Sequence, residues 1–346
     1  MWLRPSCGLV SPSGMGDNLH MLSSANVTVH TSQFPEQVRR DLLASLRTRQ
    51  LNHKFHYDSV KQTNRWLALH QAYSPSRKDD DCATTYDLAF AEIVKQSNAA
   101  RAHVIGLGCG GGQKDTRLLK RLKARARQVF YTPSDVSVAM TLVARQAALK
   151  VIPDRNCFPL VCDLATADDL PTVVKNSGPP QCSRLVTFFG MIPNFEPGAI
   201  LPKLASLIRR QDTLLFSANL APGGDYAAGV KQILPQYDNA LTREWLLMFL
   251  LDLGVERSDG EVRFDIETRP GRLRRVVARF HFNRSRRLDV DGNAFEFRRG
   301  ENIRLFYSYR YTPELARSKL AAHGLKVLGE WITKSGEEGV FLCRRS

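Results

Sequence analysis

A glycine cluster at the end of a short apolar run limits most strongly what this chain can fold into. The run is Val104 to Leu107, and the cluster Gly108-Cys109-Gly110-Gly111-Gly112 stands between it and a basic helix predicted over residues 116–126. Glycine permits positive φ angles and lets the backbone approach a ligand closely. A strand, a glycine turn and a helix in this order are typical of α/β folds that bind dinucleotides or phosphates. No Lys-Ser or Lys-Thr pair closes the loop, which argues against a P-loop.

Strands and helices alternate after this loop. The predicted strands cover residues 104–107, 128–132, 158–162, 185–189 and 213–217, and the predicted helices cover residues 116–126, 136–149 and 200–208. This alternation predicts a parallel, doubly wound sheet. Right-handed crossovers place the carboxyl ends of its strands at one edge, where such folds bind ligands.

Two acidic residues follow strands at this edge. Asp135 comes just past the second strand, where a carboxylate can accept hydrogen bonds from both hydroxyls of a ribose. Asp163 ends the third strand, where it can accept a hydrogen bond from an adenine amino group. Either acid alone could be a helix cap or a turn residue. Together with the glycine loop, they predict a nucleoside-containing cofactor.

The alternation of strands and helices stops on both sides of this region. Helices are predicted over residues 37–51, 66–73 and 84–96 before it, and after it come an apolar helix over 241–253, antiparallel strands over 262–297, a helix over 312–323 and strands over 326–332 and 339–343. A terminal helix followed by a hairpin is how the sheet of class I methyltransferases usually ends. The antiparallel strands therefore indicate an inserted lobe.

Composition and charge exclude several classes of protein. No apolar run approaches the roughly 20 residues needed to span a bilayer, and the seven cysteines form no Cys-x-x-Cys pair. We therefore expect a cytoplasmic protein without a metal site or a membrane partner. The net charge of +15 comes largely from arginines between Arg257 and Arg310. Interleaved acids favour a solvent-exposed sheet face over a nucleic-acid partner, and we expect a monomer.

Several longer motifs resemble a known family between Phe55 and Arg344. They are Leu107-Gly108-Cys109-Gly110 with Lys114 and Thr116-Arg117-Leu118-Leu119, Tyr131-Thr132-Pro133-Ser134-Asp135-Val136-Ser137, Phe189-Gly190-Met191-Ile192-Pro193-Asn194-Phe195-Glu196-Pro197, Tyr237-Asp238, and Gly300-Glu301 with Ser308-Tyr309-Arg310-Tyr311. With these motifs the chain resembles the histidine Nα-methyltransferases of ergothioneine biosynthesis. That family also includes fungal N-methyltransferases of tryptophan derivatives.

The resemblance implies roles for individual residues. S-adenosylmethionine (SAM) is the implied cofactor, and its expected contacts are Gly108, Gly110, Lys114, Asp135, Asp163 and Gly190. Asn194 and Tyr237 match the pair that holds the amino and carboxylate ends of an α-amino acid, and they orient the amine for catalysis. Tyr73 matches a pocket tyrosine from the N-terminal lobe, and Ser308 matches a serine that faces the substrate side chain.

The chain also departs from the family. Histidine-specific members place a glutamate two residues before the matching serine, to bind the imidazole, and here that position is Phe306. The loop after Tyr237 is several residues shorter, and a pocket methionine is replaced near Ala278. Burying an imidazole N–H without an acceptor is costly. The pocket around Phe306 is therefore expected to suit an aromatic or other apolar side chain.

The fold class implied is a class I SAM-methyltransferase with a Rossmann-like sheet and an inserted α+β substrate lobe joined by N-terminal helices. The expected organisation is a disordered tail over residues 1–32, N-terminal helices of the substrate lobe over 33–77, a methyltransferase core over 78–224, the inserted lobe over 225–310, and the terminal helix and hairpin of the core over 311–346.

The predicted function is SAM-dependent N-methylation of the α-amine of an amino acid or a related small amine other than histidine. One alternative is an L-histidine Nα-methyltransferase that makes hercynine. Two further alternatives are an RNA or protein methyltransferase that uses the arginine-rich region, and a homologue that binds SAM without turnover. Stacking on single-stranded RNA requires exposed aromatics among the basic residues, and no such alternation is present.

Overall fold

The computed structural model describes residues 24–73, 79–96, 100–126, 128–179 and 181–346 of the chain. The strands are β1 (Thr28–Val29), β2 (Arg101–Leu107), β3 (Gln128–Asp135), β4 (Leu160–Val161), β5 (Ser183–Phe188), β6 (Thr213–Asn219), β7 (Gly260–Thr268), β8 (Arg274–Phe282), β9 (Arg286–Val290), β10 (Asn293–Phe297), β11 (Asn302–Arg310), β12 (Leu325–Ile332) and β13 (Glu338–Arg345). The α-helices are α1 (Pro35–Thr48), α2 (Val60–Tyr73), α3 (Asp80–Gln96), α4 (Gln113–Lys123), α5 (Val138–Leu149), α6 (Leu170–Ser177), α7 (Pro197–Leu207), α8 (Tyr226–Gln232), α9 (Leu234–Tyr237), α10 (Ala240–Asp252) and α11 (Pro313–Ala322).

The central sheet has eight strands in the order β1-β4-β3-β2-β5-β6-β13-β12. The first six strands run parallel to their neighbours, whereas β13 is antiparallel to both β6 and β12. The order reverses direction at β2, where chain crossovers leave to opposite sides, and this is where α/β sheets bind ligands. This mixed α/β sheet confirms the predicted class I methyltransferase fold.

The central strands are buried on both faces, as expected for parallel strands covered by helices. Val104 and Ile105 of β2 are adjacent and fully buried, but they belong to different apolar clusters because neighbouring side chains point to opposite faces. One cluster packs under α3 and α4, and the other packs under α7 and α11. These two layers fix the strand ends that build the site.

A smaller antiparallel sheet, β11-β8-β7, forms the centre of the inserted segment. Its buried residue Phe280 shares an apolar cluster with Leu46 of α1, Phe55 of the 3-10 turn His53–His56 and Trp245 of α10. The N-terminal segment and the insertion are therefore parts of one packed body. Residues of α2 and of β11 lie opposite the glycine loop, so the N-terminal segment and the insertion together cover the carboxyl-terminal edge of the central sheet.

The structure differs from the sequence prediction in several elements. The disordered tail predicted through residue 32 is wrong for residues 24–32, because β1 pairs with β4 and His30 donates its backbone N–H to Val161. Residues 1–23 and 74–77 lie outside the described residues. The helices α6 and α8 were not predicted, and α2 begins six residues earlier than predicted at Val60. Their apolar periodicity is short or weak, so local sequence alone indicates them poorly.

Candidate functional site

A cavity of about 450 Å³ opens at the edge where β2, β3 and β5 end. Its volume falls in the range typical of small-molecule sites. Nearly all of the predicted site residues lie in its wall, and these are Tyr73, Gly108, Gly110, Lys114, Asp135, Gly190, Asn194, Tyr237, Phe306 and Ser308. Asp163 is the predicted site residue that does not line it, although its neighbours Cys162 and Leu164 do.

The glycine loop forms one side of the cavity. Gly108 and Gly110 have φ angles of 61° and 53°, in the left-handed region where side chains are strained. A Cβ atom added to Gly108 would lie 2.5 Å from Sδ of Met191, so a larger residue there would have to displace the Met191 side chain. The backbone of the loop is thereby left bare toward the cavity, as close approach of a ligand requires.

Asp135 connects this loop to the end of β3. Its Oδ2 accepts a hydrogen bond from the Gly110 N–H at 2.9 Å, and its Oδ1 accepts one from the Ser137 N–H at 3.1 Å. Burial raises the pKa of this carboxyl, and the backbone donors oppose that rise. A carboxylate offers about four lone-pair positions. The remaining positions of Asp135 can therefore accept two hydroxyls of a ribose, which fits the adenosyl part of SAM.

Lys114 projects into the cavity from the first turn of α4. Its Nζ donates to the Tyr86 hydroxyl at 2.7 Å and lies 3.3 Å from Oε1 of Glu338. Tyr86 also donates to Glu338 and lies 2.9 Å from the Ser217 hydroxyl, which in turn accepts from the Gly190 N–H. Glu338 lines the cavity and was not predicted, because it lies in the terminal hairpin far from the other motifs.

Asp115 is a second buried carboxylate beside the glycine loop. It accepts hydrogen bonds from the Tyr131 hydroxyl at 2.7 Å and the Thr187 hydroxyl at 2.8 Å. Burial raises its pKa to about 6, although the two hydroxyls and Lys114 favour the charged form. The position immediately follows Lys114 in the sequence and carries no motif that would have identified it. Both hydroxyls tie the carboxylate to the strands β3 and β5.

Asp163 occupies a different environment from the one predicted. Its Oδ1 accepts a hydrogen bond from the Ala165 N–H, and its Oδ2 lies 3.6 Å from Nζ of the buried Lys54. Lys54 also forms a salt bridge with Asp41 of α1. Asp163 thus links the end of β4 to the N-terminal segment. A contact between its carboxylate and an adenine amino group stays a prediction.

The opposite half of the cavity contains a hydrogen-bonded set of polar groups. The Tyr237 hydroxyl lies 2.7 Å from the Ser308 hydroxyl, and Arg310 donates to the Tyr237 oxygen through Nη2 at 2.9 Å. Arg310 fills one acceptor position of the phenol oxygen, and either hydroxyl of the Tyr237–Ser308 pair can be the donor. Arg310 also donates to the carbonyl of Leu220, which anchors the guanidinium to the core sheet.

Asn194 and Tyr73 complete the predicted substrate residues. Asn194 ends a 3-10 turn, Ile192–Asn194, just after β5, and its backbone N–H donates to the Met191 carbonyl. Its side-chain amide makes no hydrogen bond with the described part of the chain and lies in the cavity wall. Tyr73 ends α2 at the cavity mouth, and 52% of its surface is exposed.

Aromatic rings surround Phe306 at the far end of the cavity. Phe306 stacks on His53, with ring centroids 5.1 Å apart, and contacts Trp245 edge-on at 5.8 Å. Its ring is 6.3 Å from that of Tyr237. The indole N–H of Trp245 donates to the His56 carbonyl, so Trp245 presents only its apolar surface. Ala278, which pairs with Phe306 across β8 and β11, is fully buried and does not line the cavity.

Half of the fourteen arginines between residues 257 and 310 form ion pairs with neighbouring acids. Representative pairs are Arg257–Glu244, Arg263–Glu261, Arg275–Glu267, Arg284–Glu256 and Arg287–Asp289. Acids interleaved at this density reduce the local positive potential. Among the described residues, no helix is long and apolar enough to cross a membrane, and no His, Cys, Asp or Glu group is arranged to hold a metal ion.

Comparisons with known proteins connect this geometry to a family. The family described as "Histidine-specific methyltransferase, SAM-dependent" matches residues 36–345. A histidine N-alpha-methyltransferase of Mycobacterium tuberculosis (strain CDC 1551 / Oshkosh) is 24% identical over 328 residues, which cover 89% of this chain and 95% of the relative.

Solved methyltransferase structures are more distant. The magnesium protoporphyrin IX methyltransferase of Synechocystis PCC 6803, with bound SAH, is 16% identical with a TM-score of 0.47, and the match covers 85% of this chain and 98% of that one. The 1,6-didemethyltoxoflavin-N1-methyltransferase of Burkholderia thailandensis is 13% identical with a TM-score of 0.40, over 82% and 90% of the two chains.

Proposed function

The chain belongs to the family of histidine-specific, SAM-dependent methyltransferases, and on that premise we propose that it methylates the α-amine of an amino acid or a related small amine with an apolar or aromatic side chain. The observation that carries the proposal is Phe306, which is 7% exposed and stands among aromatic rings at the end of the cavity. An imidazole placed there would meet a phenyl ring where an acceptor is needed.

The carboxylates of the cavity support this specificity. Among the residues that line it, the acids are Asp115, Asp135 and Glu338, and each is already hydrogen-bonded beside the glycine loop or Lys114. Two further acids of the inserted segment do not take the place of the missing glutamate. Glu244 is paired with Arg257 and Glu301 with Arg49, and neither lines the cavity.

SAM fits the glycine-loop half of the cavity. Gly108 and Gly110 leave space for the cofactor, Asp135 has free acceptor positions for the ribose, and Lys114 supplies a positive charge for the carboxylate of its methionine part. When bound, SAM supplies an electrophilic methyl group attached to a sulfonium. Because the cofactor carries the chemical driving force, the protein contributes position and exclusion of water.

The residues of the other half orient the amine. Asn194 offers a carbonyl oxygen that can accept from the amine and an NH2 group that can donate to the substrate carboxylate. Tyr237 offers a hydroxyl whose oxygen is held by Arg310. The amine would attack the methyl carbon as a neutral nucleophile, so it must first lose a proton, which solvent at the mouth beside Tyr73 can take. As the carbon–nitrogen bond forms, the methyl–sulfur bond would break, and SAH would be the leaving product. Asn194 and Tyr237 then act by orientation, without covalent chemistry.

Histidine is the second candidate substrate, because the Mycobacterium tuberculosis relative is named for it. A screen separates the two candidates. SAH formation by the full chain is measured with SAM and each of the twenty proteinogenic amino acids and their decarboxylated amines, with a no-amine blank. We expect the highest kcat/KM for an apolar or aromatic amine. The proposal fails if histidine exceeds every other amine, and SAM binding without any turnover supports a non-catalytic homologue.

The same screen addresses larger substrates. Seven of the fourteen arginines between residues 257 and 310 form ion pairs with neighbouring acids, which lowers the positive potential that this region offers to a nucleic-acid backbone. Methylation of RNA or of a protein in parallel incubations, without methylation of any small amine, would favour that alternative. We expect the small amine and a monomeric, cytoplasmic enzyme.

A further inference from the structure

Glu196 follows Asn194 by two residues and reaches across to the inserted sheet. Its Oε1 lies 2.8 Å from Nη1 of Arg275, and its Oε2 accepts a hydrogen bond from the Tyr309 hydroxyl at 2.7 Å. Arg275 lies on β8 and Tyr309 on β11, whereas Glu196 belongs to the loop after β5. The contact therefore joins the cofactor-binding core to the substrate lobe beside the cavity.

The partner of Glu196 is held rigidly. Glu267, Arg275 and Tyr309 are direct neighbours across the three strands β7, β8 and β11. The guanidinium of Arg275 is 3% exposed, donates to Glu267 at 2.8 Å and lies over the rings of Tyr307 and Tyr309 at 4.6 and 5.4 Å. A planar guanidinium fixed by stacking and by hydrogen bonds gives a carboxylate one preferred position.

Strand β11 also contributes a predicted substrate residue, Ser308, directly beside Tyr309. Ser308 lines the cavity and contacts Tyr237, and Tyr309 follows it on the opposite face of β11. The span from Asn194 to Glu196 is at most about 7 Å, since each residue extends the chain by at most about 3.6 Å. Holding Glu196 on β11 therefore limits how far Asn194 can move from Ser308 and Tyr237.

We propose that Glu196 and Arg275 are positioning residues that set Asn194 against Tyr237 across the cavity. This inference rests on the orienting role proposed for Asn194. Glu196 also precedes α7 as its N-cap residue, but its side chain makes no capping hydrogen bond. Its two side-chain contacts are made to the substrate lobe, so the carboxylate is free to serve as the link.

The first test needs no substrate. Hydrogen exchange is measured on the peptide that covers residues 189–197 in wild type, Glu196→Ala and Glu196→Gln. Glu330→Ala is the matched control, because Glu330 also binds an arginine, through both of its carboxylate oxygens. Nη1 of Arg317 on α11 donates to Oε1 and Oε2 of Glu330 on β12 at 2.8 and 2.7 Å. We expect faster exchange in Glu196→Ala, near-wild-type exchange in Glu196→Gln, and no change in the control. Unchanged exchange in Glu196→Ala overturns the proposal.

The second test uses the amino acid with the highest kcat/KM among the twenty. In Glu196→Ala we expect kcat to fall on the order of 10- to 100-fold, since a displacement near 1 Å can cost that much. The amide of Glu196→Gln keeps hydrogen bonds of about half the strength, so it should recover most of the kcat. The Kd of SAM should stay constant in all variants, because Glu196 does not line the cavity.

A double variant distinguishes positioning from a general loss of structure. If Glu196 acts through Asn194, adding Glu196→Ala to Asn194→Ala should cause less than about a twofold further loss of kcat, because the two effects share one path. Full additivity, or an equal loss in Glu330→Ala, overturns the inference. If no amino acid is methylated, the proposed function fails, and the exchange experiment still decides whether Glu196 holds the Asn194 loop.

Discussion

Replacing Phe306 with glutamate should shift the enzyme toward histidine. Glu at this position would supply the acceptor for an imidazole N–H that the family resemblance implies for histidine-specific members. Residue 306 lies on β11, two residues before Ser308, and its side chain forms the end wall of the cavity. The new carboxylate would therefore extend from that wall. The measured quantity is the ratio of kcat/KM for histidine to that for phenylalanine, in wild type and variant.

The magnitude follows from the new hydrogen bond and from the aromatic packing that the phenyl ring no longer provides. A charge-assisted hydrogen bond contributes about 1.5–3 kcal/mol, which corresponds to about a 10- to 150-fold rise in the ratio. Replacing Phe306 also removes the stacking on His53 and the edge contact with Trp245. Each such contact contributes about 0.5–1.5 kcal/mol, so stability and absolute rates should fall. The ratio compares two substrates on the same protein, so a lower fraction of folded protein does not affect it.

Phe306→Leu is the matched control for this experiment. It removes the same ring and the same two aromatic contacts but introduces no acceptor, so it should not favour histidine. Rates are measured as SAH formation at saturating SAM, and circular dichroism confirms that both variants are folded. A ratio that rises less than about threefold in Phe306→Glu would refute the reasoning, because a charge-assisted bond should exceed that value. An equal rise in Phe306→Leu would attribute the effect to space rather than to the acceptor.

Three further outcomes are expected. Asp135→Ala should weaken SAM binding by about 1–3 kcal/mol in calorimetry, because the ribose hydroxyls lose their acceptor; unchanged affinity would contradict this role. Asn194→Ala should remove most turnover and leave the Kd of SAM nearly unchanged, and activity within a few-fold of wild type would exclude an orienting role. Burial raises the pKa of Asp115 from 3.8 to about 6, so its contribution to stability is present below pH 3.8 and is lost as the pH rises through 6. Relative to Asp115→Asn, wild type should therefore lose about 2 kcal/mol of unfolding free energy between about pH 4 and about pH 7, and a constant difference in urea unfolding would count against it.

The core of the fold could be predicted because its signals are local. The apolar run of β2, the positive-φ glycines after it and Asp135 at the end of β3 lie within or directly beside the elements they mark. Strand and helix periodicities are read over short windows. The cofactor half of the site follows from these signals, because parallel strands bring their carboxyl ends to one edge.

The partners of the site residues could not be predicted in this way. Glu338 meets Lys114 only after the terminal hairpin joins the sheet, and Arg310 meets Tyr237 only after the two ends of the inserted lobe come together. Asp163 lies two residues past the end of β4, and Lys54 lies beside it. Such pairs join residues that are tens to hundreds of positions apart, so the periodicity of a short sequence window does not predict them.

The sequence by itself therefore determined the strand–loop–helix that we propose binds SAM, the order of the alternating elements and the presence of Phe306 where the family resemblance implies an acid. The tertiary structure decided which rings surround Phe306, which carboxylates line the cavity, and which residues Glu196 contacts on the inserted sheet. The physical reason is that backbone conformation depends on neighbouring residues, whereas burial, ion pairing and ring contacts depend on groups that only the folded chain brings together.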